Sequence, residues 1–466
     1  MDVEVIGASS PPDRADAVVI GSGVAGLNAA VRLADRGKRV VVVEEGPRLG
    51  GRATSFVDRE TGERVDNGQH ALFGCYRETY DYLRKVGAAH LAPLQPQLTL
   101  TMTGDGRTET LVCPRLRAPW HLLAGLMRWH AVGLRDRLSG LRLRGFLRDV
   151  ERDGPAAVAA EAPAGQTVSE WLQAHGQSRA LCDWLWHPLA LAAMNQPPEV
   201  AAARPFVRVL AEMFGSDPKA AAIGLPTVPL DDLFAVPAAA FITARGGCIL
   251  SRTRARVIVE ASGRVTGVRA GEAPIVAPTV VSAVSWHAFD RLWEPPPPGV
   301  AGIAATAAAM TGSPIVTVNL WLDPPLPEAP HVLPAAFFGF VGGPMHWLFD
   351  KHRLFGGASR SLSMVASGAG ELAAMQNRDV ADAAFGQLQQ AVPALRSHRI
   401  GRSVVVREPR ATFSLAPGGP ARPGPITPLS GFYLAGDWTD TGLPATIEGA
   451  VRSGNAAADA ALAAGA

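Results

Sequence analysis

Residues 16–26 read D-A-V-V-I-G-S-G-V-A-G, and this stretch decides the fold of the chain. The apolar run Ala17–Ile20 predicts a buried strand, and residues 27–36 predict a helix. Gly21, Gly23 and Gly26 have the G-x-G-x-x-G spacing. In such a unit the first glycine allows a tight turn, the second lets backbone approach a pyrophosphate, and the third lets helix and strand pack closely. The stretch therefore predicts a dinucleotide site.

The residues that follow strengthen this interpretation. A second apolar run, Val40–Val43, ends at Glu44, about 20 residues beyond the middle glycine, where a carboxylate binds a ribose hydroxyl. The loop at 46–52, G-P-R-L-G-G-R, ends in Gly50, Gly51 and Arg52. Two adjacent glycines allow close approach of backbone to phosphate, and a guanidinium pairs with it. The alternative is a surface turn with a solvated arginine.

Composition limits the class of protein. A chain of 466 residues with 47% hydrophobic and 18% charged residues is typical of a globular protein of about two or three domains. The 44 basic and 42 acidic side chains nearly cancel, so no general nucleic-acid affinity is expected. Four scattered cysteines argue against a zinc site or a disulfide framework and favour a reducing compartment.

The N-terminal residues lack the basic start and apolar core of a signal peptide, and no run of about 18 apolar residues predicts a transmembrane helix. We therefore expect a cytoplasmic protein, and we expect residues 1–14 to form a mobile leader.

The C-terminal part repeats the opening pattern. Residues 431–435, G-F-Y-L-A, predict a buried strand that leads into Gly436 and Asp437, and a helix is expected to start near Ala445 or Thr446. A second nucleotide-contacting unit so far from the first implies a nucleotide domain interrupted by inserted segments. We predict nucleotide-binding parts at 15–75, 235–290 and 406–466, and substrate-binding parts at 76–234 (helical) and 291–405 (sheet and helix).

Coarser signals fill in the remaining chain. Residues 225–233 predict a loop, residues 276–284 a strand, and residues 295–298 a stiff proline connector that crosses between domains. Strands are expected at 315–322 and 335–341, and a helix at 378–392.

Residues 66–76, D-N-G-Q-H-A-L-F-G-C-Y, place polar groups densely between apolar ones, which is unusual for a plain core strand. His70 is the candidate functional group here, and a hydrogen-bonded core histidine is the alternative.

The region 116–150 differs in composition from the rest of the chain. Eight arginines lie from Arg115 to Arg148 with one acid, Asp136, and they alternate with leucines and tryptophans. An apolar stripe flanked by arginines suits a helix in a membrane interface. A helical domain with a solvated basic face is the alternative.

Two units at the two ends of the chain point to FAD, because one fingerprint suffices for NAD. V-V-I-G-S-G-V-A-G, V-V-E-E-G-P-R-L-G-G-R and L-A-G-D-W together resemble the amine-oxidase and phytoene-desaturase superfamily of flavoproteins. The stretches D-N-G-Q-H-A-L-F-G-C-Y and G-D-W-T-D-T-G-L-P-A-T-I-E-G-A-V-R-S-G resemble its squalene-associated branch, the hydroxysqualene dehydroxylases of bacterial hopanoid and squalene biosynthesis.

The resemblance implies an α/β fold, with a Rossmann-type FAD-binding domain of the glutathione-reductase and amine-oxidase type and an inserted α+β substrate-binding domain. It implies that the cofactor is bound by Gly21, Gly23, Gly26, Glu44, Glu45, Gly50, Gly51, Arg52, Gly436, Asp437, Gly442, Leu443 and Thr446. The loop at 441–446 is expected beside the flavin's pyrimidine edge, where a helix N-terminus stabilises negative charge. The short stretch between Gly247 and Arg256 argues against an amine oxidase.

The activity implied by the resemblance is the reductive removal of an allylic hydroxyl from hydroxysqualene, a long isoprenoid, to give squalene. Departure of hydroxide needs an acid, for which His70 is the first candidate, followed by Asp440 and Asp66. Trp438 and Phe73 are candidates to stabilise an allylic cation. Peripheral contact with the inner face of the cell membrane and with upstream pathway enzymes is expected, and neither nucleic acid nor a metal ion is.

Three other functions fit the same motifs. A carotenoid or phytoene-type desaturase would run the same fold in the oxidative direction. A flavin amine oxidase would release peroxide in air. A non-catalytic FAD-stabilised partner in an isoprenoid-synthase assembly would be yellow without turnover.

Overall fold

The protein is described by a computed structural model that covers residues 4–7, 10–328 and 331–465. Over these residues the strands are β1 Glu4–Ile6, β2 Ala17–Ile20, β3 Val40–Val43, β4 Ser55–Val57, β5 Arg64–Asp66, β6 Leu72–Phe73, β7 Thr99–Gly104, β8 Arg107–Val112, β9 Ile223–Gly224, β10 Cys248–Ser251, β11 Ala255–Val259, β12 Val265–Ala270, β13 Ala273–Val276, β14 Val280–Ser282, β15 Gly312–Asp323, β16 Phe337–Phe340, β17 Trp347–Asp350, β18 Leu362–Ser367, β19 Arg399–Phe413 and β20 Phe432–Leu434.

The α-helices of the same residues are α1 Val24–Asp35, α2 Arg77–Lys85, α3 Trp120–Arg128, α4 Leu134–Gly140, α5 Arg144–Glu161, α6 Val168–Ala174, α7 Arg179–Leu181, α8 His187–Met194, α9 Ala203–Met213, α10 Leu230–Thr243, α11 Pro298–Ala309, α12 Lys351–Leu354, α13 Gly370–Ala374, α14 Asn377–Ala391 and α15 Ile447–Ala464. A π-helical turn, Cys182–Trp186, joins α7 to α8.

A six-stranded sheet with the order β1-β10-β3-β2-β14-β20 forms the nucleotide-binding layer. Its strands pair in parallel except for the edge strand β1, which is antiparallel to β10. All residues of β2 and β3 are buried, as expected for apolar strands covered on both faces. Helices α1, α10 and α15 cover one face, and the three-stranded sheet β11-β12-β13 and α11 lie on the other.

Helices from the two ends of the chain pack closely on this sheet. A Cβ atom on Gly454 of α15 would lie 2.4 Å from the carbonyl oxygen of Ala25 in α1, so only glycine permits this approach. Asn28 Nδ2 donates to the carbonyl oxygen of Val451 and to Asn455 Oδ1 across the same contact.

The second layer is a seven-stranded sheet with the order β19-β15-β18-β17-β16-β7-β8. The side chains along its strands alternate between its two faces. Residues such as Val316, Phe338 and Met364 pack into one core with helix α14. Their neighbours along the strands, such as Ile315 and Val365, face the other way, toward a cavity. Helices α3–α9 cover the cavity on that side. They form a separate core around Trp129, Trp171 and Trp186 with their apolar neighbours.

A buried ion pair joins the two-stranded sheet β4-β5, which is bonded to α10 of the nucleotide-binding layer, to the seven-stranded layer. Lys351 Nζ, at the start of α12, lies 2.6 Å from Asp66 Oδ2 in β5, and the side chains are 6% and 2% exposed. Asp66 also accepts hydrogen bonds from Ser55 Oγ and from the backbone N–H of Leu230. Removing one partner of such a pair typically costs about 3–5 kcal/mol, because the other charge stays buried.

Several predictions are confirmed and three are wrong. The predicted strands at 315–322 and 335–341 and the predicted helix at 378–392 match β15, β16 and α14. The predicted leader at 1–14 contains strand β1, which pairs with β10 at the sheet edge, so residues 4–6 are ordered by backbone hydrogen bonds. Residues 1–3 and 8–9 of that prediction lie outside the described residues. The predicted loop at 225–233 ends in the first turn of α10, whose apolar residues pack with α1 on one face of the six-stranded sheet.

The proline segment at 295–298 does not cross between layers. It leads into α11, where Val300 and Ala307 still pack in the nucleotide-binding layer, and the chain crosses only after that helix. Helix α10 runs across the predicted boundary at 234/235, and strand β19 runs across the one at 405/406. No helix within the described residues is long and apolar enough to span a bilayer.

Candidate active site

One cavity of about 550 Å³ extends from the carboxyl ends of β2 and β3 to the exposed face of the seven-stranded sheet. At one end it is lined by polar backbone and charged groups, including Gly21, Glu44 and Asp437. At the other end it is a chamber of apolar side chains, among them Leu98, Leu100, Leu111, Leu122, Leu126, Leu143, Leu147, Leu185, Leu189, Met213, Phe337, Trp347, Phe349 and Val365.

The polar end has the features that a bound dinucleotide needs. Helix α1 has no side-chain cap, and its N-cap residue Gly23 and its first residues, Val24 and Ala25, line the cavity. Uncapped N–H groups at a helix N-terminus bind phosphate. A Cβ atom on Gly23 would meet no protein atom within 4 Å, and its φ of −63° suits any residue. The chain itself therefore does not require glycine at this position.

Gly26 has a different reason to be glycine. A Cβ atom there would lie 2.0 Å from the carbonyl oxygen of Gly21, so Gly26 permits the contact between strand and helix and does not line the cavity.

Glu44 stands at the end of β3 and lines the cavity. Its Oε2 accepts hydrogen bonds from the backbone N–H of Ser22 at 2.8 Å and from Ser22 Oγ at 2.7 Å, and its Oε1 accepts from the N–H of Gly46 at 2.7 Å. These bonds hold the carboxylate beside the glycine turn, which suits a ribose hydroxyl. Glu45 also lines the cavity and forms an ion pair with Arg291 at 3.5 Å.

The predicted phosphate loop meets the C-terminal unit here. Gly50, Gly51 and Arg52 line the cavity, and the backbone N–H of Gly50 donates to the carbonyl oxygen of Ser22 at 2.9 Å. Arg52 Nη2 lies 2.6 Å from Asp437 Oδ1. Arg52 Nη1 donates to the carbonyl oxygen of Ala411.

The helix predicted near Thr446 is α15, which begins at Ile447 with Thr446 as its N-cap. Gly436 and Thr446 line the cavity, so this second helix N-terminus also opens onto it. Gly442 and Leu443 lie outside the cavity: Gly442 faces Arg208, and Leu443 packs in the core of the helical region. These residues as a set fit FAD, with two helix N-termini, a ribose carboxylate and an arginine around one cleft.

His70 faces the cavity where the polar end meets the apolar chamber, and Gln69 lies beside it. No hydrogen bond to either ring nitrogen is formed by any residue that the structure describes. Burial lowers the pKa of His70 to about 4, the charges of Arg52 and Lys351 lower it further, and Asp66 opposes them. The imidazole is therefore neutral at neutral pH.

The other acid candidates lie elsewhere. Asp66 is occupied by its ion pair with Lys351 and does not line the cavity. Asp440 is 60% exposed and bonded to Arg422, outside the cavity, because its side chain turns toward that guanidinium. Trp438 is buried in the nucleotide-binding layer, where its Nε1 donates to the carbonyl oxygen of Val284, whereas Phe73 does line the cavity.

Sequence analysis missed three polar residues of the chamber wall: Asn195, Ser367 and Thr412. Asn195 ends α8 in a left-handed conformation with φ of 52°, and the only sequence signal for it is an asparagine before Q-P-P at the end of an apolar helix. Ser367 and Thr412 lie in strands and carry no local signal.

A family model of flavin-containing amine oxidoreductases matches residues 24–462. A hydroxysqualene dehydroxylase of Rhodopseudomonas palustris is 32% identical over 96% of this chain and 98% of its own length. One from Sinorhizobium fredii is 31% identical over 95% of this chain and 97% of its own. A probable zeta-carotene desaturase of Synechococcus elongatus is 25% identical over 95% and 98%.

The fold is also similar to that of solved structures. An oxidoreductase from Methanosarcina mazei superposes with a TM-score of 0.69 at 16% identity, covering 94% of this chain and 98% of that one.

Two of the three fingerprint glycines, Gly23 and Gly26, give a prediction. We expect Gly23→Ala to fold normally, because the space beside it is free of protein, and to lose most of its flavin, because the methyl group occupies the place of the pyrophosphate. We expect Gly26→Ala to lose thermal stability as well, because its Cβ collides with the Gly21 carbonyl. The ratio of flavin to protein absorbance and the melting temperature of the flavin-free protein measure the two effects.

Gly302→Ala is the matched control, because its Cβ would also meet no atom within 4 Å but it lies in α11, away from the cavity. Full flavin content in Gly23→Ala would contradict the assignment of this space to the cofactor.

Proposed function

We propose that this chain, which belongs to the flavin-containing amine oxidoreductase family and to its branch of hydroxysqualene dehydroxylases, reductively removes the allylic hydroxyl of hydroxysqualene to give squalene. The observation that carries the proposal is the single cavity that joins a dinucleotide cleft to an apolar chamber. A long isoprenoid suits such a chamber, because its burial releases water from apolar surface and leaves few polar groups to satisfy.

The reaction breaks one C–O bond and forms one C–H bond. When bound, two-electron-reduced FAD would supply the hydride for that carbon and the proton for the departing oxygen, and the products would be the hydrocarbon, water and oxidised flavin. The chain supplies the site: it holds the allylic carbon, excludes water and moves the proton. Phe337, Trp347 and Phe349 line the chamber with π faces that stabilise a developing allylic cation.

His70 is suited to proton transfer beside such a cation. A neutral imidazole can donate a proton from one ring nitrogen while the other accepts one, so the ring passes a proton on without becoming a cation itself. An imidazolium would repel the allylic cation across a chamber of low polarity. The low pKa of His70 therefore favours this role.

An anaerobic single-turnover experiment tests the reaction. The photoreduced holoenzyme is mixed with hydroxysqualene, and flavin absorbance and lipid products are followed together. We expect reoxidation of the flavin with formation of squalene in equal amount. Flavin that stays reduced with hydroxysqualene, but is reduced from its oxidised form by a polyene precursor, would make the protein a desaturase instead. Peroxide formed with an amine would make it an amine oxidase.

Variants of His70 test the proton transfer. We expect His70→Ala to lower kcat by about 10²–10⁴-fold, the usual contribution of a positioned acid or base, while the flavin content stays at that of the wild type.

Because the pKa of His70 is about 4, kcat/KM is expected to be flat between pH 6 and 8 and to fall as the pH approaches 4, where protonation removes the accepting nitrogen. Loss of activity as the pH rises above 6 would instead indicate an imidazolium acid.

We also propose that the chain docks on an anionic bilayer through α3 and α4. Leu116, Trp120, Leu134 and Leu138 are exposed large apolar side chains of this region, with Trp120 at 65% and Leu134 at 60%. Seven of the eight arginines between 115 and 148 are exposed around them. The inner side of α3 lines the chamber with Leu122 and Leu126, so a lipid substrate would have a short path from the bilayer. Contact with upstream pathway enzymes stays a prediction.

Liposome co-sedimentation tests the docking. We expect binding to phosphatidylglycerol vesicles, weak binding to phosphatidylcholine, and loss of binding near 1 M salt, where the Debye length is about 3 Å. Trp120→Ala is expected to weaken binding, whereas Ile426→Ala, which removes a side chain that is 70% exposed outside this region, is expected to change nothing. Binding that is indifferent to salt would contradict the electrostatic part of the proposal.

A further inference from the structure

Three polar side chains lie together in the wall of the otherwise apolar chamber. In the strand register, Ser367 of β18 is opposite Ile315 of β15, and Thr412 of β19 is opposite Ser313 of the same strand. Asn195, at the end of α8, reaches both strands. All but Ser313 line the cavity, so three neighbouring strands in the order β19-β15-β18 and one helix end form this part of the wall.

The amide of Asn195 has one permitted orientation. Its Nδ2 donates to the carbonyl oxygen of Ser313 at 3.1 Å, and its Oδ1 accepts from the backbone N–H of Gly368 at 2.7 Å. Because a carbonyl only accepts and an N–H only donates, these backbone partners fix which end of the amide is the nitrogen. The second hydrogen of Nδ2 is then donated to Thr412 Oγ1 at 3.0 Å.

This arrangement decides what the two hydroxyl groups can do. Thr412 Oγ1 accepts from Asn195, so its own hydrogen is free to donate, and it has no acceptor within the described part of the chain. Ser367 Oγ has no hydrogen-bond partner there either. Both residues line the cavity and their hydroxyls have unused hydrogen-bonding capacity, so both can bind a polar group of a ligand.

Thr412 lies on the His70 side of the chamber. Ala411, next to Thr412, accepts a hydrogen bond from Arg52, and the charge of Arg52 acts on His70. A group bound by Thr412 is therefore close to the junction of the chamber with the flavin cleft.

We propose that Thr412 and Ser367 form a binding site for the hydroxyl group of the substrate, with Asn195 as a positioning residue. Thr412 donates to the substrate oxygen, and Ser367 accepts from the substrate O–H. The inference rests on the proposed function and explains how the chamber distinguishes an isoprenoid alcohol from a hydrocarbon. A hydrocarbon leaves both hydroxyls unpaired, so the product binds more weakly than the substrate.

The test measures binding to the oxidised holoenzyme, which cannot reduce the substrate. Hydroxysqualene and squalene are titrated separately in the same detergent, and the change in flavin absorbance reports occupancy. We expect Thr412→Val and Ser367→Ala each to weaken hydroxysqualene binding about tenfold, the loss expected for one hydrogen bond in a buried site, and to leave squalene binding unchanged. Thr412→Ser keeps the hydroxyl and is expected to keep the preference.

Matched controls come from the same sheet. Thr317→Val and Ser363→Ala make the same chemical changes at buried hydroxyls that have no partner and do not line the cavity. We expect both controls to keep the wild-type ratio of the two affinities. Asn195→Asp removes the donor to Thr412 and is expected to lower that ratio, whereas a merely structural role would weaken both ligands equally.

An unchanged ratio in both Thr412→Val and Ser367→Ala would overturn the inference. If the wild-type protein converts hydroxysqualene while the variants keep their preference, only this inference fails. If the wild-type protein neither binds nor converts hydroxysqualene, the proposed function fails with it.

Discussion

Strand β14 pairs on one side with β2 and on the other with β20, and this pairing brings the two ends of the chain to one cleft. In a buried parallel sheet the backbone groups of each strand are satisfied only by its neighbours, so the segments cannot separate without a large loss. The glycine turn after β2 and the Gly436–Asp437 turn after β20 consequently lie at the same edge of the sheet. The inserted segments leave this sheet and return to it, which places the substrate layer against the cleft.

The sequence is most informative where function depends on local geometry. The turn at Gly21 and Gly23, the acid at Glu44 and the helix start near Thr446 were each predictable, because their spacing along the chain is also their arrangement in space. The chamber wall was not predictable. Ser367 and Thr412 meet only because β15 pairs with β18 on one edge and β19 on the other, and strand periodicity does not say which face meets a cavity. Asp440 had the right chemistry, but its pairing with Arg422 depends on tertiary structure.

The low polarity of the chamber affects both the binding of the substrate and the charge of His70. Walls of leucine and aromatic side chains accommodate an isoprenoid, and the same low polarity disfavours charge on His70. Few polar groups are tolerated in such a wall, so those that remain are held by defined bonds, as Asn195 is held by two backbone groups. The apolar wall thus accommodates the isoprenoid and keeps His70 uncharged, and the few polar groups in it are held in fixed positions.

The ion pair between Asp66 and Lys351 has a consequence for the history and engineering of this fold. Asp66 belongs to the β4-β5 hairpin, which is bonded to α10 of the nucleotide-binding layer, and Lys351 belongs to the seven-stranded layer; both side chains are buried. Recombination that joins the substrate layer of another protein to this nucleotide layer would leave one buried charge without its counterpart. This is avoided only if both residues are transferred together or are both replaced by neutral ones. The pair therefore limits which substrate layers are compatible with this nucleotide layer, and residues 66 and 351 should be kept or replaced together in the design of hybrid flavoenzymes.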